Sequence, residues 1–180
     1  VQENNEDRYY CNTKKKIYIV SDGIGGQSAG EVAAEAVTTF LPKMILNNSN
    51  CVNPLSSQLT ICQSIQEIVH HLSTLILEQS RSVFGLNGMG ATLAMIWVQN
   101  ASVFITNMGD SRIYLYRDKN LKLISEDHTI CNLLVKAGEL NKNQVKDHAA
   151  YGRLSKYIGM EGVVFPDVTS QSANTNDVFL

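Results

Sequence analysis

Hydrophobic spacing changes character near residue 88, and that change limits the folds open to the chain. Before it, Ala29, Val32, Ala33, Ala36, Val37, Phe40, Leu41 and Met44 recur at intervals of three and four. Such spacing puts them on one face of an amphipathic helix over 29–46. Ser28, followed three residues later by Glu31, forms a capping-box pattern at its start. Leu59, Cys62, Ile65, Ile68 or Val69, Leu72 and Leu75 or Ile76 make a second stripe, so 57–81 reads as a long helix packed beside the first. Asn47 to Pro54 reads as the loop between them. After Gly88 the pattern turns to short apolar runs at 91–98, 101–108, 113–116 and 121–124. Gln99-Asn100, Gly109-Asp110-Ser111 and Arg117 to Asn120 separate them as polar turns, the mark of an antiparallel meander. A short helix over 129–137 ends at Gly138, 139–153 is polar loop, and 163–169 and 178 onward are further strands. With a strand beginning at Ile17, the order is strand, two helices, then antiparallel strands. This excludes regular βαβ alternation and predicts an α+β class, with helices layered on a sheet or covering a sandwich.

A length of 180 residues fits one domain over 1–180 with a real core. Both ends read as cut from something longer, since the chain begins on polar residues and stops within a strand at Phe179-Leu180. A net charge of −2 gives no electrostatic footprint for nucleic acid. The basic run Lys14 to Lys16 reads as a solvated turn. No apolar stretch approaches the ~20 residues that span a bilayer, and no signal-peptide pattern opens the chain, so no membrane and a cytoplasmic location are expected. Cys11, Cys51, Cys62 and Cys131 form no Cys-x-x-Cys pair and read as reduced thiols. The four histidines lack the helical His-x3-His spacing of a zinc site.

The candidate chemistry lies in Ile17-Tyr-Ile-Val-Ser-Asp-Gly-Ile-Gly-Gly26, where a strand delivers Asp22 to its tip and glycines follow. Without a Cβ at Gly23, Gly25 or Gly26, the main chain can come close to a bound ion. Glu6-Asp7 and Asp110 are further acidic groups at turns beside strand ends. Asp residues gather at turns for local reasons, but together these could converge at one end of a sheet. Converging carboxylates stay ionised around cations, and oxygen-only donors favour magnesium or manganese over zinc. Two such ions imply hydrolysis by direct attack of bound water on phosphorus, with no covalent intermediate. The glycines do not fit a dinucleotide fingerprint, because Ser28 stands where its third glycine belongs, and no Gly-Lys-Ser/Thr marks a P-loop.

Six segments occur in a known order: Asn5-Glu6-Asp7, Val20 to Gly26, Gly88 to Leu93, Asn107 to Arg112, Asp127-His128 and Arg153 to Gly159. Over nearly its whole length the chain resembles the bacterial-style metal-dependent serine/threonine protein phosphatases of the type 2C family. That resemblance implies a β-sandwich of two antiparallel sheets flanked by helical pairs, with the C-terminal part of the family domain absent here. It implies hydrolysis of phosphoserine and phosphothreonine by a hydroxide bridging two Mn2+ or Mg2+ ions, with a third ion held more loosely. By position, Asp22 resembles the carboxylate that bridges the two catalytic ions and is the catalytic residue. The carbonyl of Gly23 resembles a ligand of the second ion, Glu6 and Asp7 occupy the first acidic motif, and Asp110 resembles the ligand of the third. The segment 129–150 resembles the flap beside the active site. Phosphorylated protein substrates, shared with a partner serine/threonine kinase, are implied as partners. Three positions depart from the pattern. Neutral Gln2 stands in place of a phosphate-gripping arginine, Ile24 in place of the histidine of some members, and two further aspartates would fall beyond Leu180. The missing arginine and the missing aspartates fit an alternative, a non-catalytic phosphatase-like binding or regulatory domain, whereas Ile24 is the hydrophobic residue that bacterial members carry. A phosphatase of a sigma-factor switch shares the same fold.

Overall fold

In the computed structural model, which describes residues 5–25 and 29–180, an antiparallel sheet of five strands forms the centre. Its strands are β1 (Arg8–Asn12), β2 (Ile17–Ser21), β5 (Leu93–Gln99), β6 (Ser102–Met108) and β9 (Asp167–Ser172), side by side in that order. A two-stranded pair, β3 (Gly23–Ile24) with β4 (Gly90–Ala91), continues from one end. A second sheet, ordered β10-β7-β8, is made by β7 (Tyr114–Arg117), β8 (Asn120–Leu123) and β10 (Val178–Phe179).

Strand alternation decides which face each residue serves. Ile17 and Ile19 of β2 are buried while Tyr18 and Val20 between them are exposed, the period of two expected of a strand. The buried face, with Met95, Trp97 and Phe104, packs against the stripes of α1 (Ala29–Asn47) and α3 (Gln58–Ser82) through Val37, Leu41, Ile65 and Val69. The opposite face presents Ala94, Val103 and Ile105, which join Ile113 and Ile124 beside the second sheet and Phe179 within it in a separate cluster. Two sheets with a helical pair over one of them match the expected sandwich.

Both predicted helices agree with the structure within a residue or two. The Ser28 capping box and Gln2 lie outside the described residues. The short helix is α4 (Ile130–Ala137), capped by Thr129, whose Oγ1 accepts from Asn132 N at 3.2 Å, and closed by Gly138 in the left-handed region. Three expectations shift. The run 91–98 is interrupted at Thr92, because Ala91 pairs with Ile158 whereas the Thr92 N–H donates to Asp22 O at 2.8 Å. The strand expected over 163–169 begins instead at Asp167, since Pro166 has no N–H to give the ladder. A helix α2 (Ser49–Val52) and a 3-10 turn (Lys142–Asp147) occupy segments read as loop. β1 carried no signal of its own, for Arg8 and Asn12 make a weak strand former and the pairing partner decides its state.

The second sheet is fastened at its open end by Arg117, whose Nε and Nη2 reach Asp177 Oδ1 and Oδ2 at 2.8 and 2.7 Å. That fork, helped by the Asn174 N–H, lowers the Asp177 carboxyl to about 2. The stabilisation is complete above the ordinary carboxylate value near 3.8 and is lost as pH falls through about 2. Asp177→Asn should therefore melt earlier than the parent at pH 7, and the gap should close in melting curves taken down to pH 2.

Candidate active site

Sheet register alone brings the acidic residues together. β1 and β2 pair Arg8 with Ser21, so one step further Asp7 stands opposite Asp22. β2 and β5 pair Val20 with Ala94, which carries Thr92 to the other side of Asp22. β5 and β6 pair Leu93 with Met108, which brings Gly109 and Asp110 to the same end of the sheet. Asp7, Asp22, Thr92 and Gly109 thus form one row across four strands, and Asp110 follows directly.

Thr92 ties that row. Its N–H donates to Asp22 O, and its Oγ1 accepts from Asp22 N at 2.9 Å and lies 2.6 Å from Ser111 Oγ. The buried Ser21 hydroxyl donates to Thr92 O at 2.7 Å. Gly109, at φ 119, lets the chain turn over Thr92, where an added Cβ would stand 2.7 Å from Thr92 Cγ2. His128 holds the turn from the far side: its Nδ1 accepts from Gly109 N at 3.1 Å, and its backbone N–H donates to Gly109 O at 2.8 Å. This bonding leaves the proton on Nε2, which lies 3.1 Å from Asp167 Oδ2. Lys156 Nζ contacts Asp167 Oδ1 at 2.8 Å. Against the cost of partial burial, the Lys156 ammonium and the His128 ring in contact with it hold the Asp167 carboxyl below its usual range.

Glu6 enters the site from the other flank. Its carbonyl accepts from Gly23 N at 3.3 Å, and its carboxylate lies over the first turn of α1. A Cβ on Gly30 would stand 2.5 Å from Glu6 Oε2, and one on Gly23 would stand 2.3 Å from Gly30 C. The missing Cβ of Gly23 therefore makes room for the backbone of α1.

The four carboxylates act on one another. Asp22 reaches solvent, yet partial desolvation, then charge repulsion and a hydrogen bond from Asp7, then Asp110 and Glu6, push its carboxyl up to about 6. Among the described residues, no three carboxylate, imidazole or thiolate groups enclose a cation by themselves. The arrangement is an open ledge of oxygen donors, which suits a hard divalent ion that keeps several waters. A cleft of about 370 Å3 opens over Asp22, Thr92 and Asp110, and Arg153, Leu154 and Tyr157 form its far wall. Larger cavities, of about 400 Å3 between α1 and α3 and about 580 Å3 between the central sheet and the segments 111–113 and 179–180, have no Asp or Glu in their lining.

The sequence named the acidic residues but gave no role to Thr92, Ser111, His128 or Arg153. Each stands in a motif it had singled out, so the signal was present; their partners appear only once the strands are paired.

The chain belongs to the protein phosphatase 2C family, which residues 1–156 match. The serine/threonine phosphatase stp of Listeria monocytogenes serotype 4b is 31% identical over 183 aligned residues, spanning 100% of this chain and 71% of that protein. The S. agalactiae serine/threonine phosphatase superposes with a TM-score of 0.83 at 25% identity, covering 99% of this chain and 73% of that one. The catalytic domain of the serine/threonine protein phosphatase PstP, solved with 2 manganese ions, gives a TM-score of 0.79 at 27% identity, covering 99% of this chain and 70% of that one.

Proposed function

We infer that the chain is a bacterial-type, metal-dependent phosphatase that removes phosphate from phosphoserine and phosphothreonine in proteins. The observation that carries this reading is the convergence of Asp22 and Asp110 in one cleft, with Asp7 and Glu6 acting on Asp22 from beside it, in a family with a manganese-bound relative. Unpaired carboxylates this close repel, and a divalent ion relieves them. The donor set therefore fits the cofactor.

Asp22 and the Gly23 carbonyl would hold the catalytic ions, with Glu6 and Asp7 supporting them from one flank and Asp110 from the other. When bound, such ions supply an activated water and neutralise charge on the phosphoryl oxygens. Thr92 and Ser111 keep the Asp22 and Asp110 backbones at a fixed spacing, so the donors need not reorganise. Leu154 and Tyr157 give the cleft apolar contact area on the wall that faces the donors. Magnesium in place of manganese, phosphoproteins of a partner kinase, and a cytoplasmic location belong to the same reading. Four free thiols suit a reducing compartment. The intact acidic row favours catalysis over a binding-only role.

Manganese-dependent release of phosphate from a phosphothreonine peptide tests the reading directly; an inactive protein that binds manganese would refute it. The pH behaviour is a second check. The metal-free carboxyl of Asp22 titrates at about 6, so binding a cation below that value must displace a proton. Calorimetry at pH 6 in two buffers of different ionisation enthalpy should report net proton release, and apparent manganese affinity should fall with pH below about 6. In the metal-free protein the sign reverses. A folded-state value above the unfolded one gives stability that is present at low pH and lost as pH rises through about 6.

A further inference from the structure

We propose that Arg153 is the phosphate-binding cation of the cleft, gripping the phosphoryl oxygens of the substrate from the wall opposite the acidic row. The proposal rests on the phosphatase reading and names a recognition residue within it. The chain has five arginines, at 8, 81, 112, 117 and 153. Four are engaged: Arg8 with Glu31, Arg81 with Glu161, Arg112 with Asp127 and Arg117 with Asp177. Among the described residues, the Arg153 guanidinium has no ion-pair or hydrogen-bond partner, and it is the one cationic side chain lining the cleft that holds Asp22 and Asp110. An arginine beside carboxylates that pairs with none of them leaves a gap between opposite charges, and that gap is where a phosphoryl group fits. A planar guanidinium meets two phosphate oxygens with parallel N–H donors, which a carboxylate-lined floor cannot offer.

The backbone under Arg153 is fixed. Its N–H donates to Ala150 O at 3.1 Å, its carbonyl accepts from Ile130 N at 2.9 Å, and Ser155 N donates to His128 O at 2.9 Å. Further on, Ile158 exchanges two bonds with Ala91, at 3.0 and 2.9 Å, beside the Thr92 row. The cation is therefore carried on a base tied both to α4 and to the strand that positions Asp22. Its distance from the floor is set by the sheet.

The test is steady-state kinetics of Arg153→Ala and Arg153→Lys in the manganese-loaded protein, with p-nitrophenyl phosphate as substrate and inorganic phosphate as inhibitor. In Arg153→Ala, KM and the inhibition constant for phosphate should rise together by about tenfold or more. Lys should recover only part of the loss, because a point charge cannot make the paired bonds. Manganese affinity and melting temperature should stay at the parent values, and Arg81→Ala, which breaks an exposed pair away from the cleft, should match the parent. Unchanged KM and inhibition by phosphate in both variants would overturn the proposal. So would a loss seen with a phosphopeptide but not with p-nitrophenyl phosphate, which would make Arg153 a reader of flanking peptide. If the parent itself showed no hydrolysis, the phosphatase reading would fail on its own. Calorimetric binding of inorganic phosphate to the manganese-loaded parent and Arg153→Ala would then still decide the role of Arg153, with equal binding counting against it.

Discussion

Asp22→Asn should lower manganese-dependent phosphate release by on the order of 10^3-fold or more, with the fold intact. Asp22 is the one carboxylate that Asp7, Asp110 and Glu6 all act upon. Asn keeps its size and leaves the backbone bonds to Thr92 in place, but it removes the charge that two ions would share. The same change relieves repulsion in the metal-free protein, where ionised Asp22 is held against its neighbours. Far-UV circular dichroism should therefore be unchanged, and the metal-free variant should melt no lower than the parent. The two readouts moving in opposite directions separate a lost cofactor site from a damaged fold. An active Asp22→Asn protein would remove the mechanism, and an unfolded one would show that Asp22 is structural.

Gly23→Ala should have the largest effect on stability. Its new Cβ would sit 2.3 Å from the carbonyl carbon and oxygen of Gly30, and both contacts are backbone, which cannot swing aside as a flexible side chain would. Either β3 or the first turn of α1 must move, at a cost of about 3 kcal/mol, or about 10 °C in melting temperature for a domain of this size. Manganese affinity should fall as well, because Glu6 is held by this junction through its bond from Gly23 N. A melting temperature within two or three degrees of the parent would mean that the packing between β3 and α1 is looser than the structure has it. Gly30→Ala makes a second approach to the same contact, with its Cβ aimed at Glu6 Oε2.

How much of this could be read beforehand depends on the range over which each feature is decided. The α1 and α3 stripes are local and periodic, and the sequence carried them to within about two residues. The tight turns Gln99-Asn100 and Arg117 to Asn120 were legible for the same reason: Asn100, Asp118 and Lys119 all adopt positive φ there. β1 was not legible, because Arg8 to Asn12 becomes a strand only by pairing with β2. The start of β9 moved because a missing N–H at Pro166 outweighed the apolar run around it. For the site, Asp22 and Asp110 stood out by their glycine neighbours, whereas the closeness of Glu6 to Gly30 depends on how α1 lands and leaves no mark in the chain. The side that the missing Cβ of Gly23 leaves open is taken in the structure by the Gly30 backbone.

Residues 7, 22 and 110 reach one end of the sheet only after three separate strand pairings have closed. An unfolded polypeptide holds these donors far apart and offers a cation little to grasp, so cofactor uptake reports the finished sheet. By mass action, cellular manganese would then shift the folding equilibrium toward the assembled state. Metal supply would govern how long the polypeptide survives as well as how fast it works.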